Sequence, residues 1–99
     1  MATKFKDFMR EIEEEARREG PKAVAELEAL RTHFRVGRRI AESRRALKLT
    51  QKDLAKRAGI DQSDVSNVER GAGNPTLTTL DAIAGAVGME IEIRKKRTG

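Results

Sequence analysis

A chain of 99 residues has room for one domain and a short appendage around a modest core. The absence of cysteine excludes disulfides and thiolate metal sites, and a single histidine is too few for a zinc cluster. The only aromatic residues are three Phe, which argues against an aromatic cofactor pocket, and no apolar run approaches a membrane span of roughly 20 residues. We therefore expect no metal, no cofactor, no small-molecule ligand and no membrane segment.

The net charge of +5 is distributed unevenly along the chain. Residues 1–33 carry 7 basic and 8 acidic side chains, residues 34–88 carry 10 and 6, and residues 89–99 carry 4 and 2. The basic excess in the middle of the chain is the pattern expected of a segment that contacts nucleic-acid phosphates. Basic charge taken alone is weak evidence for such a partner.

The first 33 residues predict a helical segment made of two helices. One runs from Lys4 to Arg18, and Gly20 and Pro21 predict its end and the start of a second helix that reaches His33. Three adjacent carboxylates, Glu13 to Glu15, point in different directions on a helix, which indicates a solvated face rather than an acid/base site.

The two helices share an apolar stripe at helical spacing, which consists of Phe5, Phe8, Met9, Ile12, Ala16, Val24, Leu27 and Leu30. This stripe packs either on the chain's own core or dimer mate, or on another protein. Two Phe and a Met near a terminus favour the second alternative.

After these 33 residues, a third helix is expected from Phe34 to Leu49, with Val36, Ile40 and Leu47 buried. Its basic side chains, Arg38 among them, either approach phosphates or are simply solvated.

Two short helices separated by Gly59 are predicted between Thr50 and Gly71. Thr50 followed by Asp53 is an N-cap signal, and Gly59 suits the left-handed residue that ends a helix. Asp61 repeats the N-cap role for the second helix. The exposed face of that second helix then carries small polar side chains, namely Gln62, Ser63, Ser66 and Asn67.

Short amide and hydroxyl side chains suit the major groove of DNA, because Gln and Asn can engage adenine bidentately and Ser can serve either base. A helix that only faces solvent would more often expose Lys and Glu. The alternative is an ordinary helix pair with a polar surface. We favour a DNA-reading helix-turn-helix.

The remaining residues predict one helix and one strand. Thr76 is the expected N-cap of a helix that ends at Gly88 and buries Leu77, Leu80, Ile83, Ala84 and Val87. After it, Met89, Ile91 and Ile93 alternate with charged residues, which is the period of a half-buried strand. A lone strand must pair with another molecule, either the same strand of a dimer mate or the sheet edge of a partner.

The pattern T-Q-x-x-L-A-x-x-x-G-I, followed by V-S-x-x-E-R-G, resembles the Xre/Cro-type helix-turn-helix family of bacterial and phage repressors over about residues 34–88. The resemblance implies a mainly α chain with a five-helix, lambda-repressor-like domain. By this resemblance Gln62, Ser63 and Asn67 face base edges, and Gln51 contacts a phosphate and braces Gln62. Thr50 and Asn74 contact the DNA backbone, and Arg44 and Glu69 form a mostly buried ion pair. From their exposed positions we add Ser66 as a base contact, and Arg38 and Lys52 as phosphate contacts.

The ending G-N-P-T-L-x-T-L-x-x-I-A-x-A-x-G, with a following E-I-x-I-R, is similar to the HigA group of antitoxins. Such proteins neutralise a RelE-fold ribonuclease toxin of the HigB type and repress their own operon as dimers. The resemblance makes residues 1–33 the candidate toxin-binding region, with contacts through Phe5, Phe8, Met9, Ile12, Val24 and Leu27. It implies operator DNA, the toxin and a second copy of the chain as partners, in the bacterial cytoplasm and at the nucleoid when bound to the operator.

A stand-alone Xre-family repressor without a toxin partner is the alternative, with N-terminal helices that serve only dimerisation or folding. An enzyme is not expected. The sequence has no nucleophile with a nearby base, no phosphate-cradling glycine loop and no metal constellation.

Overall fold

The computed structural model of the chain describes residues 2–97, with side chains from Lys4 to Arg97. The described residues form five helices, which are α1 (Ala2–Glu19), α2 (Pro21–Ala46), α3 (Gln51–Ala58), α4 (Gln62–Glu69) and α5 (Leu77–Ala86). The chain divides into two compact units with a boundary between His33 and Phe34, which we call the N-terminal and C-terminal units. The expectation of a mainly helical chain is confirmed. These five helices are the total for the described residues. The C-terminal unit holds four helical segments, which are the second part of α2, α3, α4 and α5.

A one-residue turn at Gly20 separates α1 from α2. Gly20 has a φ of 119°, which glycine adopts readily, and its N–H donates to the Ala16 carbonyl at 3.0 Å. Pro21 follows as the first residue of α2, where a missing N–H does no harm because the first turn of a helix leaves its N–H groups unpaired. The predicted stop and start are confirmed at these two residues.

The helix boundary predicted at His33 is wrong. α2 runs without a break from Pro21 to Ala46, where we expected two helices. No proline follows its first residue, and Gly37 keeps a helical conformation, so nothing in the backbone forces an interruption. The helix ends instead just before Lys48, which adopts a φ of 59°. Because Leu47 lies in this turn, it is 49% exposed rather than buried.

The core of the C-terminal unit is formed by α3, α4, α5 and the second part of α2. Leu54, Val65 and Ile83, one from each short helix, are fully buried. The buried residues around them are Ile40, Ala55, Val68, Ala84 and Val87. Leu77, expected in this core, is the first residue of α5 and is 69% exposed. The shared core holds α4 in a defined orientation against α3.

The strand expected at Met89–Arg94 is not formed in the described residues, and its pairing with a dimer mate through Met89, Ile91 and Ile93 stays a prediction. Residues 89–97 have no regular secondary structure, and Ile93 is 98% exposed. A strand needs a neighbouring strand to pair its N–H and C=O groups, and the described chain offers none. Met89 instead completes the end of α5. Its N–H donates to the Ala84 carbonyl at 2.8 Å, and its sulfur accepts from the Ser43 hydroxyl at 3.1 Å.

Two other features are absent from the part of the chain that the structure describes. None of its helices combines the length and the apolar composition needed to cross a membrane. No group of three or more His, Asp or Glu side chains is arranged around a common point where a metal ion could be held.

Candidate nucleic-acid interface

α3, the turn at Gly59 and α4 form a helix-turn-helix. Thr50 caps α3, since its hydroxyl accepts from the Asp53 N–H at 3.0 Å and the Asp53 carboxylate accepts from the Thr50 N–H at 2.9 Å. Gly59 ends α3 with a φ of 69°, and the Ile60 N–H donates to the Ala55 carbonyl at 3.0 Å. The cap and the turn predicted here are confirmed. The turn leads the chain directly into α4.

Asp61 occupies the N-cap position of α4, but its side chain makes no cap hydrogen bond. The prediction that it repeats the role of Thr50 is therefore wrong. Only its backbone carbonyl takes part, and it accepts from the Asp64 N–H at 3.0 Å. The Asp61 side chain is left exposed at the start of α4.

The outward face of α4 carries the four residues predicted to contact bases. Gln62 and Ser63 in the first turn are exposed, whereas Ser66 and Asn67 in the next turn are half-buried. The Asn67 Oδ1 accepts a hydrogen bond from the Arg70 guanidinium, which occupies part of the amide edge that would read a base. The N-terminal end of α4 is therefore its most accessible part, and this is the end through which recognition helices contact bases.

The residues predicted to contact phosphates lie at three places in the C-terminal unit, and they are Thr50, Gln51, Lys52, Asn74 and Arg38. The first three begin α3, where Lys52 is exposed. Asn74 lies in the loop between α4 and α5, where it lines a cleft of about 240 Å³ together with Asn67. Arg38 lies on α2 and pairs with Glu42 at 3.5 Å, an exposed pair that contributes little to stability.

Gln51 is positioned by the end of α4 rather than by its beginning. Its side-chain amide donates to the Glu69 Oε1 at 3.1 Å. The brace from Gln51 to Gln62 that the family resemblance implied is not among the hydrogen bonds of the described residues. Gln51, at the start of α3, therefore helps to orient the Glu69 carboxylate at the end of α4.

Arg44 of α2 and Glu69 of α4 are brought together as an ion pair. The Arg44 Nε donates to Glu69 Oε2 at 2.6 Å, its Nη2 donates to Glu69 Oε1 at 3.0 Å, and its Nη1 donates to the Leu49 carbonyl at 2.8 Å. Their side chains are 11% and 5% exposed. Burial raises the pKa of Glu69, but the hydrogen bonds from Arg44 and Gln51 outweigh burial and hold the pKa below its usual range. The pair is charged and ties three helices together.

Two glycines position α4 in a way that the sequence analysis did not identify. A Cβ added at Gly37 would lie 2.3 Å from the carbonyl oxygen of Val68 and 2.8 Å from that of Glu69, so α2 approaches the last turn of α4 backbone to backbone. Gly71 follows α4 with a φ of 69°, and a Cβ there would lie 2.8 Å from the Phe34 ring. A glycine inside a helical pattern is a visible signal of close approach, but the sequence does not reveal which backbone it faces.

The residues predicted to bind a toxin all lie in the N-terminal unit. Phe5 and Phe8 are 65% and 58% exposed. The others are half-buried, and they are Met9, Ile12, Val24 and Leu27. Ala16 is the only described side chain of this unit that is buried, and an ion pair between Glu13 and Arg31 joins α1 to α2. The unit has almost no core of its own and leaves a large apolar surface exposed.

Comparison with known proteins identifies the fold of the C-terminal unit. A helix-turn-helix family model matches residues 40–93, which is more than half of the chain. An immunity repressor protein of Bacillus phage phi105 is 45% identical over 56 residues, which cover 57% of this chain and 39% of the phage protein. Two uncharacterized HTH-type transcriptional regulators of Sinorhizobium fredii are also similar. One is 34% identical over 62 residues, which cover 63% of this chain and 32% of the relative. The other is 43% identical over 54 residues, which cover 54% of this chain and 70% of the relative.

The chain thus spans well under half of the length of the first two of these relatives. No solved structure matches it. The family match over residues 40–93 agrees with the geometry of α3, Gly59 and α4, and the chain therefore belongs to the helix-turn-helix family.

Proposed function

We propose that the chain is a sequence-specific DNA-binding repressor of transcription that inserts α4 into the major groove of an operator. The exposed first turn of α4 carries this proposal, because Gln62 and Ser63 project there after a capped helix and a tight turn. Short amide and hydroxyl side chains at that end of a recognition helix suit base edges. The names of the relatives, an immunity repressor and transcriptional regulators, support the same function.

Two sets of side chains divide the work of binding. We assign base reading to Gln62, Ser63, Ser66 and Asn67, and phosphate contacts to Thr50, Gln51, Lys52, Asn74 and Arg38. Phosphate contacts set affinity and register, whereas base contacts set sequence preference. The excess of 10 basic over 6 acidic side chains in residues 34–88 supports an anionic partner for this unit.

We further propose that the chain binds its operator as a homodimer. α4 has only eight residues, so one copy contacts few base pairs. Two copies would place two recognition helices in adjacent major grooves about 34 Å apart on a pseudo-palindromic operator. Sedimentation of the complex with selected DNA measures the stoichiometry, and a one-to-one complex would contradict the dimer.

Selection of DNA from a random library by the full chain tests the proposed reader, followed by titration of the selected sequence at several salt concentrations. Gln62→Ala should relax base preference at one position by about 1–3 kcal/mol. Lys52→Ala should weaken binding to all sequences and lower the salt slope by about 1. Lys22→Ala removes an exposed lysine of the N-terminal unit as the matched control, and it should change neither property.

Two results would count against the reader. Failure of any sequence to be enriched would contradict sequence-specific binding. A folded Gln62→Ala variant that keeps the parent's base preference at every salt concentration would remove Gln62 from the base contacts.

The exposed apolar surface of the N-terminal unit favours a second function, the neutralisation of a RelE/HigB-like ribonuclease toxin. Phe5 and Phe8 remain 65% and 58% exposed in a helical hairpin that buries almost nothing of its own. Surfaces of this kind are covered by protein partners. An antitoxin that holds its toxin with the N-terminal unit and represses the shared operon with the C-terminal unit would use both parts of the chain. In a stand-alone repressor this surface would serve only dimerisation or folding.

Co-expression with a small reading frame found next to the gene tests the second function, and the absence of such a frame would count against it. That frame alone should arrest growth, and the parent chain should relieve the arrest. Phe8→Asp combined with Leu27→Asp should lose the relief and keep operator binding, whereas Ala25→Asp, at an exposed position of α2, should keep both. A harmless neighbouring frame, or full relief by the double variant, would contradict the antitoxin function.

A further inference from the structure

We propose that a groove in the N-terminal unit binds a basic amphipathic helix of a partner protein. The groove has a volume of about 450 Å³ and lies between α1 and the beginning of α2. Its apolar floor is formed by Phe8, Ile12, Ala16, Ala23, Leu27 and Leu30. The inference rests on the second function proposed above and specifies the chemistry of the partner.

Four carboxylates edge this groove. Glu11, Glu15 and Glu19 lie four residues apart on α1 and form one row along the helix, and Glu26 lies on α2. No basic side chain is among the residues that line the groove. Among the ion pairs of the described residues, the row takes part only through Glu15 and Arg18 at 3.3 Å, an exposed and therefore weak pair. The groove thus presents an apolar floor beside largely unpaired negative charge.

Glu13 lies on another face of α1 and, unlike the row of carboxylates, is paired with basic side chains. Glu13 accepts a hydrogen bond from Arg31, which lowers its pKa, and Arg17 lies 3.5 Å from the same carboxylate. Glu13 lies in a separate cleft whose lining includes Lys6 and Arg10. The basic side chains of the hairpin therefore neutralise that face and leave the groove acidic.

Charge complementarity selects the occupant of the groove. A helix with an apolar stripe fits between two helices, and Lys or Arg beside the stripe would meet the row of carboxylates. A neutral or acidic helix would leave these carboxylates partly desolvated and unpaired. The same groove of a second copy would bring a second row of carboxylates against the first. The chain as a whole carries +5, so attraction of a basic helix depends on this local row rather than on the net charge.

Titration of the full chain with two synthetic helical peptides tests the proposal. The peptides share one leucine stripe, and their polar faces carry either lysine or glutamate. The lysine peptide should bind at least about tenfold more tightly than the glutamate peptide, a difference of about 1.4 kcal/mol. Glu11→Lys combined with Glu19→Lys should remove this preference. Asp7→Lys combined with Glu14→Lys makes the same charge change on α1 at exposed positions outside the groove, and it should retain the preference.

Several outcomes would overturn the proposal. Equal affinity for the lysine and glutamate peptides would do so. So would an equal loss of the preference for the lysine peptide in Glu11→Lys with Glu19→Lys and in Asp7→Lys with Glu14→Lys, provided that circular dichroism shows both variants folded. The groove would instead belong to a second copy of the chain if three results were found together. The full chain would form a dimer and bind no lysine peptide, Leu27→Asp would abolish the dimer, and Ala25→Asp would leave it intact.

Growth relief and operator binding, measured on the same variants, keep the proposals separate. If Glu11→Lys with Glu19→Lys no longer binds the lysine peptide but still relieves toxicity, the antitoxin function stands and the groove is not its binding site. If the parent binds the lysine peptide but relieves no toxicity, the antitoxin function fails and the groove chemistry stands.

Discussion

Arg44 of α2 and Glu69, the last residue of α4, are joined by two hydrogen bonds of 2.6 and 3.0 Å, and both side chains are largely buried. Gln51 at the start of α3 donates to the same carboxylate at 3.1 Å. Three helices therefore meet at one charged group. Because α4 has only eight residues, this group and the close approach at Gly37 determine how its exposed face is presented.

Replacement of Arg44 by alanine should lower the free energy of unfolding by about 3 kcal/mol, because it leaves the Glu69 carboxylate buried without its cation. Urea unfolding followed by circular dichroism measures the change. Arg45→Ala removes the neighbouring, exposed arginine and should change stability by no more than about 0.5 kcal/mol. An unfolding midpoint equal to the parent's in Arg44→Ala would show that the pair does not stabilise the fold.

Stability should fall as the pH is lowered through the titration of Glu69. Burial raises the pKa of Glu69, but the hydrogen bonds from Arg44 and Gln51 outweigh it, so the folded pKa lies below the ordinary value of 4.5. The unfolded chain therefore binds the proton first, and the stabilisation is complete above that value and is lost as the pH falls through the folded pKa. The hydrogen bonds that Asp53 accepts from the Thr50 N–H and hydroxyl also lower its pKa and add acid sensitivity in a similar range.

Urea midpoints measured from neutral pH down to about pH 3 report this dependence. Glu69→Gln should be less stable than the parent at neutral pH and should lose less stability on acidification. A variant with the same pH dependence as the parent would show that Glu69 does not carry it.

Gly37→Ala and Gly85→Ala should have opposite effects on stability. A Cβ at Gly37 meets two backbone carbonyl oxygens that cannot rotate away, so we expect a loss of about 1–3 kcal/mol. A Cβ at Gly85, within α5, meets nothing within 4 Å, and replacing a helical glycine by alanine there should stabilise the chain by about 0.5–1 kcal/mol. Thermal unfolding of both variants tests the pair of predictions. A Gly37→Ala variant as stable as Gly85→Ala would refute the close approach of α2 and α4.

The N-caps of α3 and α4, the two helices of the helix-turn-helix, should differ in how much they stabilise the fold. Thr50 forms both hydrogen bonds of a capping box, so Thr50→Ala should lower stability by about 1 kcal/mol. The Asp61 side chain makes no cap hydrogen bond, and Asp61→Ala should lower stability by only a few tenths of a kcal/mol, from the loss of a carboxylate near the helix dipole. Equal losses in urea unfolding would show that both residues cap their helices in solution.

The sequence by itself determined the features that depend on residues close together in the chain. The turn at Gly20 and Pro21, the cap at Thr50 and the left-handed Gly59 involve hydrogen bonds that span only a few residues. The buried stripes of the short helices follow from apolar spacing, since one face of a helix must leave water. These local requirements were enough to predict the helix-turn-helix and the exposed first turn of α4, whereas Ser66 and Asn67, also expected to be exposed, are half-buried.

Only the tertiary structure decided the features that depend on distant residues. Gln51 bonds to Glu69, 18 positions away, because the fold brings the start of α3 to the end of α4. Gly37 faces the backbone of α4, which no spacing in the sequence reveals. The alternation of Met89, Ile91 and Ile93 satisfies the pattern of a strand, but a strand also needs a neighbour for its backbone hydrogen bonds. Periodicity shows which side chains share a face, and only the folded chain shows what that face meets.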